Sequence, residues 1–562
     1  MKRDVSALSA THFDVLIVGG GIFGACAAWE AASRGLSVAL IEKDDFGHAS
    51  SANHLKMVHG GIRYVQHADI CRIRESCHER SALLRIAPHL VEPMPIIIPT
   101  YGHGMKGKEI LGAGMALYDM VTLDRNWRIS DSERRIPRGS FLGTEEVMKV
   151  LPGLERKGLT GAAVFHDGQI YNPPRLALSF LRSAAGAGAK VANYVELKRL
   201  ILKEGRVAGA EAVNNLNGET CRINCSSILL TTGGWTQSLL DRACGISLQP
   251  GPTFSRDLAF VVRRPLVRKF GFAFPLKSKD ADAVLNRGGR HLFVAPWRDR
   301  TLVGVWHGIF NDPPEEVATS WNELAGFLAE VNAAHPGFNI SREDISMVLT
   351  GLTLFGDVGQ QVNGQMSFGK RSMLVDHAEK HQIKGLVSLV GVRATTARGM
   401  AEKAVDLIFR KLVRQRTPSV SSQTPIFGGS FISMKNLKAK IDKHVQDHFC
   451  EKVAFALAKN YGSEYQRVLN YVERDLTLLK PIGSSTTLGA EIVHGVNEEM
   501  AVTLSDVVFR RTDLGTLGGV SLDQIETCGR IMARELDWSN KRLAKEISLV
   551  ETHIARCGFV FN

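Results

Sequence analysis

The stretch that decides the fold is Phe13–Gly24, which reads FDVLIVGGGIFG. Its apolar part, Val15–Val18, is typical of a buried parallel strand. Gly19, Gly21 and Gly24 then follow at G-x-G-x-x-G spacing. In a dinucleotide-binding fold the first glycine makes a tight turn, the second lets the backbone approach a pyrophosphate, and the third lets the helix pack on the strand. The pyrophosphate would lie at the helix N-terminus, where the dipole favours an anion.

A second strand follows the helix-like run ACAAWEAASRG. It reads SVALIEK and ends at Glu42. An acid at this position, about 20 residues after the glycines, is the expected partner of a ribose hydroxyl and disfavours a 2′-phosphate. The order of strand, glycines, helix, strand and acid therefore predicts a dinucleotide cofactor. Its expected contacts here are Gly19, Gly21, Ile22, Phe23, Gly24, Glu42 and Lys43.

Length and charge narrow the class of protein. A chain of 562 residues exceeds one typical domain, so two or three units are expected. The net charge of +12 suits an anionic substrate, an acidic membrane surface or nucleic acid. Because no basic run alternates with aromatic residues, we expect no nucleic-acid partner.

The cysteines and the apolar runs indicate the cellular compartment that is expected for the protein. The nine cysteines are scattered, and no second cysteine or histidine pair completes a zinc pattern, so we expect reduced thiols, a cytoplasmic setting and no metal site. The first twelve residues lack the apolar core of a signal peptide. No apolar run is long enough to span a bilayer.

A polar loop follows the second strand. It reads HASSANHLKMVHGGIRYVQ over His48–Gln66, and it suits either cofactor phosphates and ring or an ordinary solvated connection. Together with the opening elements, HGGIRY resembles the FAD-dependent glycerol-3-phosphate dehydrogenases, within the amino-acid-oxidase-like flavoproteins. That family typically has S-S-x-x-S-K-L-I-H-G-G-L-R-Y here. This chain keeps Ser50, Ser51, Lys56, His59, Gly60, Gly61, Arg63 and Tyr64. The resemblance implies that the first six of these contact the cofactor.

Two later segments extend the resemblance. Ser227–Trp235, SILLTTGGW, is similar to the family's N-A-T-G-P-W signature, with Gly234 in place of proline. GLVSLVGVRATTARG, which begins at Gly385, is similar to F-G-G-K-L-T-T-Y-R, with Arg393 in place of lysine. The resemblance implies FAD as the cofactor. Its implied contacts in these segments are Thr232, Gly233, Trp235, Gly391, Thr395 and Thr396.

The resemblance also implies an α/β architecture of three parts: an FAD-binding Rossmann-like domain, an inserted antiparallel-sheet substrate domain and a C-terminal helical domain. A segment rich in proline, serine and glycine, Arg416–Ser430, is typical of a boundary before the last part. The predicted ranges are 1–100, 160–250 and 351–415 for the FAD domain, 101–159 and 251–350 for the substrate domain, and 425–562 for the helical domain.

The chain departs from the family at the substrate positions. Ala259 stands where the family has a histidine beside the flavin, and Thr353 where it has an arginine. His307 lies where many relatives have threonine or aspartate, and it could supply an imidazole or be a partly buried histidine bonded to backbone. We expect Arg63 to be the main substrate ligand, with Arg393 second. The full prediction is Arg63, His307 and Arg393 as catalytic residues, and Arg63, Tyr64, Arg256, Thr353 and Arg393 as substrate ligands.

The resemblance implies an FAD-dependent oxidoreductase that oxidises a small polar hydroxyl substrate by hydride transfer to flavin N5. Two alternatives stay open: the same chemistry on another hydroxy or amino compound, and a flavin-binding scaffold without catalysis. The altered pocket predicts weak activity on glycerol 3-phosphate. The substrate is expected to be small and anionic or polar, and quinone and oxygen are both open as electron acceptor. A homo-oligomer and contact of Lys106–Thr122 with the inner face of a membrane also remain open, although a helix packed on the core is favoured for that segment.

Overall fold

The structure is a computed structural model and describes residues 1–104, 107–249, 251–279, 289–355, 372–444 and 450–557. The strands in these ranges are β1 (His12–Phe13), β2 (Val15–Val18), β3 (Val38–Ile41), β4 (Met57–Val58), β5 (Val91–Tyr101), β6 (Ser140–Leu142), β7 (Leu159–Ile170), β8 (Lys190–Ala192), β9 (Val195–Lys203), β10 (Arg206–Asn214), β11 (Thr220–Cys225), β12 (Ile228–Leu230), β13 (Thr253–Val262), β14 (Gly271–Lys279), β15 (Gly289–Trp297), β16 (Arg300–Phe310), β17 (Ile345–Phe355), β18 (Met373–Asp376) and β19 (Leu386–Val390). The α-helices are α1 (Ser6–Ala10), α2 (Ile22–Ser33), α3 (Ile70–Ile86), α4 (Lys108–Val121), α5 (Thr144–Val150), α6 (Pro173–Gly186), α7 (Thr236–Cys244), α8 (Trp321–Ala334), α9 (His377–His381), α10 (Ala397–Lys411), α11 (Met434–His444), α12 (Glu451–Tyr461), α13 (Tyr465–Val472), α14 (Gly489–Glu499), α15 (Leu504–Asp506), α16 (Leu522–Glu535) and α17 (Asn540–Cys557).

The opening stretch forms the predicted strand, glycine turn and helix. β2 lies inside a sheet of spatial order β18-β19-β12-β2-β3-β8, which is parallel except for β18. Every residue of β2 and β3 is buried. This follows from cover on both faces, by α2 with α6 and α10 on one side and by the smaller sheet β1-β11-β10-β9 on the other. Fully apolar strands are what such a sandwiched sheet requires.

The second large sheet has the spatial order β17-β13-β16-β15-β14-β5-β7-β4, with β6 beside β7, and is antiparallel except where β14 pairs with β5. β13 pairs antiparallel with both β16 and β17. Its side chains alternate: Leu258 and Phe260 pack toward α8, with Phe260 edge-on to Phe327 at 5.3 Å between ring centroids. Asp257 and Ala259 therefore lie on the opposite face of the sheet, which is the face that borders the cavity described below.

The C-terminal helices α11 to α17 have their own apolar clusters and contact the part of the chain around the parallel sheet through buried ion pairs. Arg511 contacts both carboxylate oxygens of Asp45 at 2.7 Å. Burial alone would raise the pKa of Asp45, but the charges of Arg511 and Arg510 outweigh it and lower the pKa. The three-part fold class expected from the sequence is confirmed, with the parallel sheet, the antiparallel sheet and the helical end as distinct parts.

The segment considered for membrane contact forms α4. Met115 and Tyr118 are buried, as a helix packed on the core requires, while Leu117 and Met120 are exposed. Lys106 lies outside the described residues. Within the part of the chain that the structure describes, no helix combines the length and apolar character that crossing a bilayer needs.

Candidate active site

The glycine turn leaves room for backbone alone. Gly19 has a φ of +107°, and a Cβ there would lie 2.8 Å from the carbonyl oxygen of Thr231. A Cβ at Gly24 would lie 1.9 Å from the carbonyl oxygen of Gly19, so the third glycine lets α2 approach the end of β2. Gly21 precedes the first residue of α2, and its Cβ would lie 3.0 Å from Ser51 Oγ. The turn therefore presents a helix N-terminus without side chains in front of it, which suits a pyrophosphate.

Glu42 follows β3 and closes the same turn from the side. Its Oε2 accepts a hydrogen bond from the Gly20 N–H at 2.6 Å, and its Oε1 accepts one from the Asp44 N–H at 3.0 Å. A carboxylate has about four acceptor positions, so each oxygen can still accept a ribose hydroxyl. The side chain is buried in the cavity wall and rigidly placed.

The loop that carries the two serines joins the two large sheets. Ser51 Oγ accepts a hydrogen bond from the Ile22 N–H at 2.9 Å, at the start of α2. Ser50 Oγ donates to the Leu352 carbonyl at 2.9 Å and accepts from the Leu352 N–H at 2.8 Å, which fastens the loop to β17. The serines thus hold the nucleotide-binding end and the antiparallel sheet in a fixed relation.

The HGG turn is held by an aspartate that sequence reasoning missed. Asp167 on β7 accepts from the Gly60 N–H at 2.7 Å and lies 2.9 Å from His59 Nδ1. Burial would raise the pKa of Asp167, but the hydrogen bond and charge of His59, with Arg80, outweigh it and lower the pKa. A Cβ at Gly60 would lie 2.0 Å from Arg80 Nη1, which explains the glycine.

Two further loops complete the nucleotide-binding edge. β12 and β19 flank each other in the parallel sheet, so the segments after them, Thr231–Trp235 and Gly391–Thr396, lie beside the glycine turn. Lys43 Nζ lies 4.5 Å from the ring centroid of Trp235. A Cβ at Gly391 would lie 1.9 Å from the Phe23 ring. The three loops come together because the carboxyl ends of parallel strands share one edge.

These loops border a continuous cavity of about 460 Å³, in the size range of small-molecule and cofactor sites. It extends from the glycine turn to the face of the antiparallel sheet. The sequence-predicted residues that line it are Gly19, Gly21, Ile22, Phe23, Glu42, Lys43, Ser50, Ser51, His59, Gly61, Arg63, Tyr64, Thr232, Gly233, Trp235, His307, Thr353, Gly391, Arg393 and Thr395. A backbone cradle, a helix N-terminus and a ribose-side acid fit a dinucleotide such as FAD.

Five predicted residues lie outside this lining: Gly24, Lys56, Gly60, Thr396 and Arg256. Gly24 and Gly60 serve close packing instead. The ammonium of Lys56 lies 4.6 Å from the Trp297 ring centroid, and burial, with the charge of Arg298, lowers the pKa of Lys56 to about 7.

Arg256 was predicted as a substrate ligand, but its guanidinium contacts the opposite side of the sheet. It donates to the Ala318 carbonyl at 2.7 Å and forms an ion pair with Glu323 at the start of α8. The reason is the alternation of β13: Arg256 points away from the face that carries its neighbour Asp257. Thr396 follows the lining residue Thr395 and is buried at the start of α10.

The substrate end of the cavity has two arginines and a tyrosine. Arg63 is exposed within the lining. Arg393 Nη1 donates to the hydroxyl of Tyr64, and its guanidinium lies 5.3 Å from the tyrosine ring centroid. Arg63 follows β4 and the HGG turn, and Arg393 follows β19, so one cation comes after a strand of each large sheet. They can bind an anionic or strongly polar group.

The opposite wall of this end is the face of β13, β16 and β17. Ala259 lies on it where the family histidine is expected, with Asp257 two residues earlier. The register places Asp257 opposite His307 on β16, and their Oδ1 and Nδ1 atoms lie 2.7 Å apart. Thr353 Oγ1 on β17 donates to Asp257 Oδ2 at 2.7 Å. Two of the residues at changed family positions, His307 and Thr353, thus form one hydrogen-bonded group with Asp257.

Sequence reasoning assigned no role to Asp257. The signal was available in the strand itself, since Asp257 and Ala259 share a face whenever the segment is a strand. His54, which also lines the cavity, was missed as well. Its Nδ1 accepts the Lys56 N–H at 2.9 Å, and burial, with the charge of Lys56, lowers the pKa of His54 to about 3.

Comparisons with known proteins agree with this geometry. A family model described as "FAD dependent oxidoreductase" matches residues 14–407, and one described as "C-terminal domain of alpha-glycerophosphate oxidase" matches residues 419–543. The chain is 29% identical to a glycerol-3-phosphate dehydrogenase of Synechocystis sp., over 97% of each chain. It is 27% identical to an aerobic glycerol-3-phosphate dehydrogenase of Bacillus subtilis, over 91% of this chain and 89% of that one.

Among solved structures, the chain resembles a glycerol-3-phosphate dehydrogenase from Bacillus halodurans complexed with FAD. The TM-score is 0.75 at 21% identity, and the match covers 99% of this chain and 98% of that one. At this identity the match shows the fold. It extends over all three parts of the chain.

Proposed function

Because the chain belongs to the family of FAD-dependent oxidoreductases, we propose that it oxidises a small polar substrate in the manner of glycerol-3-phosphate dehydrogenases. The observation that carries this proposal is the continuity of the cavity. The same cavity is lined by Gly21 at the helix N-terminus and by Arg63, Arg393 and His307 at its far end. A cofactor held at the turn would share this space with a substrate.

FAD, when bound, supplies an acceptor for the hydrogen and electron pair that leave the substrate carbon. Its nucleotide half would be held by the glycine turn and Glu42, and its ring end by the loops that contain Ser51, His59 and Thr395. Within this frame the protein's own residues bind the substrate, orient it and accept the hydroxyl proton.

Arg63 and Arg393 would hold the polar or anionic end of the substrate. Both are cationic and lie in the cavity lining, and guanidinium groups bind carboxylates and phosphates in bidentate fashion. His307 would accept the proton of the hydroxyl at Nε2, because Nδ1 is engaged with Asp257. The proton leaves the oxygen as the C–H hydrogen leaves with its electron pair, so the products are a carbonyl compound and a protonated imidazole.

The substrate is proposed to differ from glycerol 3-phosphate. Thr353 and Ala259 replace a cation and an imidazole, and Asp257 adds a carboxylate to the same wall. Loss of one cation from a phosphate clamp removes a charge-assisted bond of about 1.5–3 kcal/mol, or about tenfold to over a hundredfold in affinity. A carboxylate nearby also repels a phosphate dianion. A hydroxyl or amino compound with a smaller negative charge fits this wall better.

The test is reduction of the bound flavin without oxygen. Purified protein is mixed with glycerol 3-phosphate, other polyol phosphates, hydroxy acids, neutral polyols and amines, and bleaching of the flavin absorbance is followed. The proposal expects slow bleaching with glycerol 3-phosphate and faster bleaching with another compound. Bleaching by none of them, in protein that holds FAD, would favour the scaffold without catalysis. Repeating the reaction with oxygen and with a quinone identifies the acceptor.

A further inference from the structure

We propose that Asp257 is a positioning residue that holds His307 as the proton acceptor of the reaction. Both residues lie on the cavity wall where Ala259 stands in place of the histidine of glycerol-3-phosphate dehydrogenases. This inference rests on the proposed oxidation of a hydroxyl substrate. It names the device by which a chain without that histidine obtains an imidazole. Asp257 lies two residues before Ala259 on the same face of β13, a distance of about 6.6–6.8 Å along the strand. His307 is its partner on the neighbouring strand β16.

The sheet itself brings the pair together. Asp257 is directly opposite His307 in the antiparallel register of β13 and β16, and opposite Gly351 in the register of β13 and β17. Cβ atoms of directly opposed residues lie about 4.5–5.5 Å apart, which is the distance over which a carboxylate meets an imidazole. A Cβ at Gly351 would lie 2.6 Å from the Asn53 carbonyl oxygen, so this position has no side chain beside Asp257.

Hydrogen bonds fix Asp257 from both sides. Its Oδ1 accepts from Ser255 Oγ at 2.8 Å and meets His307 Nδ1 at 2.7 Å. Its Oδ2 accepts from the Thr353 hydroxyl at 2.7 Å. Three side chains on three neighbouring strands thus hold the carboxylate in one orientation. Side chains of Asp257 and His307 are each about 20% exposed, so the pair is neither solvated surface nor sealed core.

The carboxylate of Asp257 then determines the tautomer of His307. An ionised carboxylate only accepts hydrogen bonds, so a neutral His307 must carry its proton on Nδ1. Nε2 is then the basic nitrogen of the ring. When it takes the hydroxyl proton, the ring becomes cationic, and the carboxylate 2.7 Å away stabilises that charge. Asp257 thus both selects the reactive tautomer and stabilises the product of the proton transfer.

A second histidine–aspartate pair in the lining serves as the internal comparison. His59 also lies 2.9 Å from a carboxylate, that of Asp167. Asp167 is also bound to the Gly60 N–H and lies 3.4 Å from Arg80 Nη1, so it fixes the HGG turn. By contrast, the described partners of the Asp257 carboxylate are the side chains of Ser255, His307 and Thr353 on the sheet face, and they fix no turn. The geometry therefore assigns proton acceptance to His307 and a structural role to His59.

The experiment uses the FAD-loaded protein and the substrate that reduces it fastest. The variants are His307→Gln, Asp257→Asn and the double variant. The His307→Gln rate of flavin reduction should fall by about 10²–10⁴, the usual effect of losing a general base. The rate of flavin reduction should fall less in Asp257→Asn than in His307→Gln. The double variant should be no slower than His307→Gln, because the two residues act as a unit. KM should change less than kcat, since the pair contacts the hydroxyl and not the anionic end.

A matched control removes the carboxylate from an exposed histidine pair. Glu109 Oε1 lies 3.0 Å from His103 Nδ1, outside the cavity lining, so Glu109→Gln should leave the rate unchanged. Flavin content and circular dichroism report folding. If Asp257→Asn folds poorly, Asp257→Glu and His307→Asn take its place. The rate of flavin reduction in Asp257→Glu should then lie between that of the wild type and that of His307→Asn.

Nitrogen NMR of the His307 ring gives a readout that needs no turnover, with the His307→Gln variant assigning the signals. Wild-type protein should show the proton on Nδ1, and Asp257→Asn should lose this preference. An unchanged tautomer would overturn the inference, as would additive rate losses or less than a threefold loss in His307→Gln. A wild type that no compound reduces would overturn the proposed function and, with it, the role of His307 as proton acceptor. An unchanged tautomer in Asp257→Asn, in protein that a compound does reduce, would overturn the role of Asp257 alone.

Discussion

The nucleotide-binding edge of the parallel sheet and the cavity face of the antiparallel sheet differ in what carries their chemistry. At the edge, backbone is the binding surface, and a side chain at Gly24 or Gly391 would collide with a neighbour 1.9 Å away. On the cavity face, the side chains of Ala259, Thr353 and His307 line the cavity, and other side chains can stand on the same strands. A cofactor cradle made of backbone therefore tolerates little change, whereas a side-chain wall can be replaced residue by residue.

The largest expected effect is at the edge. Gly21→Val should abolish FAD binding, because its Cβ would lie 3.0 Å from Ser51 Oγ and block the backbone's approach to a pyrophosphate. Flavin content after purification measures it. Gly326→Val in α8 is the control, since a Cβ there meets nothing within 4 Å. If Gly21→Val protein retains FAD, the assigned cradle is wrong.

The next largest effect is expected for substitution of Arg63, which lines the cavity between the two regions. Arg63→Ala should lower kcat/KM by about tenfold to over a hundredfold, because a charge-assisted bond to the substrate is lost. Arg63→Lys should also reduce it, since a point charge does not replace a planar guanidinium. Arg74→Ala is the control, because Arg74 pairs with Asp124 on the surface. Unchanged turnover and KM in Arg63→Ala would remove Arg63 from the site.

The buried Lys56 predicts a pH dependence of the free energy of unfolding that is independent of FAD binding. Its pKa is about 7 in the folded protein and 10.5 in the unfolded chain. Between these values the unfolded chain holds a proton that the folded protein lacks, so the free energy of unfolding rises with pH, by about 1.4 kcal/mol per pH unit at the steepest. Lys56→Met should remove this rise and keep FAD.

Chemical unfolding at several pH values across that interval measures the slope. Lys403→Met is the control, because Lys403 is exposed and pairs with Glu75. Parallel profiles for Lys56→Met and wild type would show that the Lys56 ammonium is not desolvated. Loss of flavin in Lys56→Met would instead restore Lys56 to the cofactor contacts.

The smallest effect lies on the cavity wall. Thr353→Val removes the hydroxyl that donates to Asp257 Oδ2, and kcat should fall about fivefold, the equivalent of about 1 kcal/mol. Thr350→Val is the matched control, since Thr350 lies on the other face of β17 and bonds with Thr319. An equal loss in both variants would point to a general weakening of the sheet.

The same contrast explains what could be predicted from the sequence. The glycine turn, Glu42 and the loops after β12 and β19 were predictable, because local spacing determines a backbone cradle. The fate of Arg256 was not, because a one-residue difference in strand phase decides which face a side chain occupies. The Asp257–His307 pair depends on cross-strand register between segments 50 residues apart in the chain, which spacing along one segment does not contain.

The central claim is that the cofactor half is retained while the substrate wall has been rebuilt. Steady-state kinetics on glycerol 3-phosphate, beside the compound that bleaches the flavin fastest, test it most directly. The account predicts a lower kcat/KM for glycerol 3-phosphate in protein that is fully loaded with FAD. A high turnover of glycerol 3-phosphate, with a KM in the ordinary micromolar-to-millimolar range and no better substrate in the panel, would contradict it.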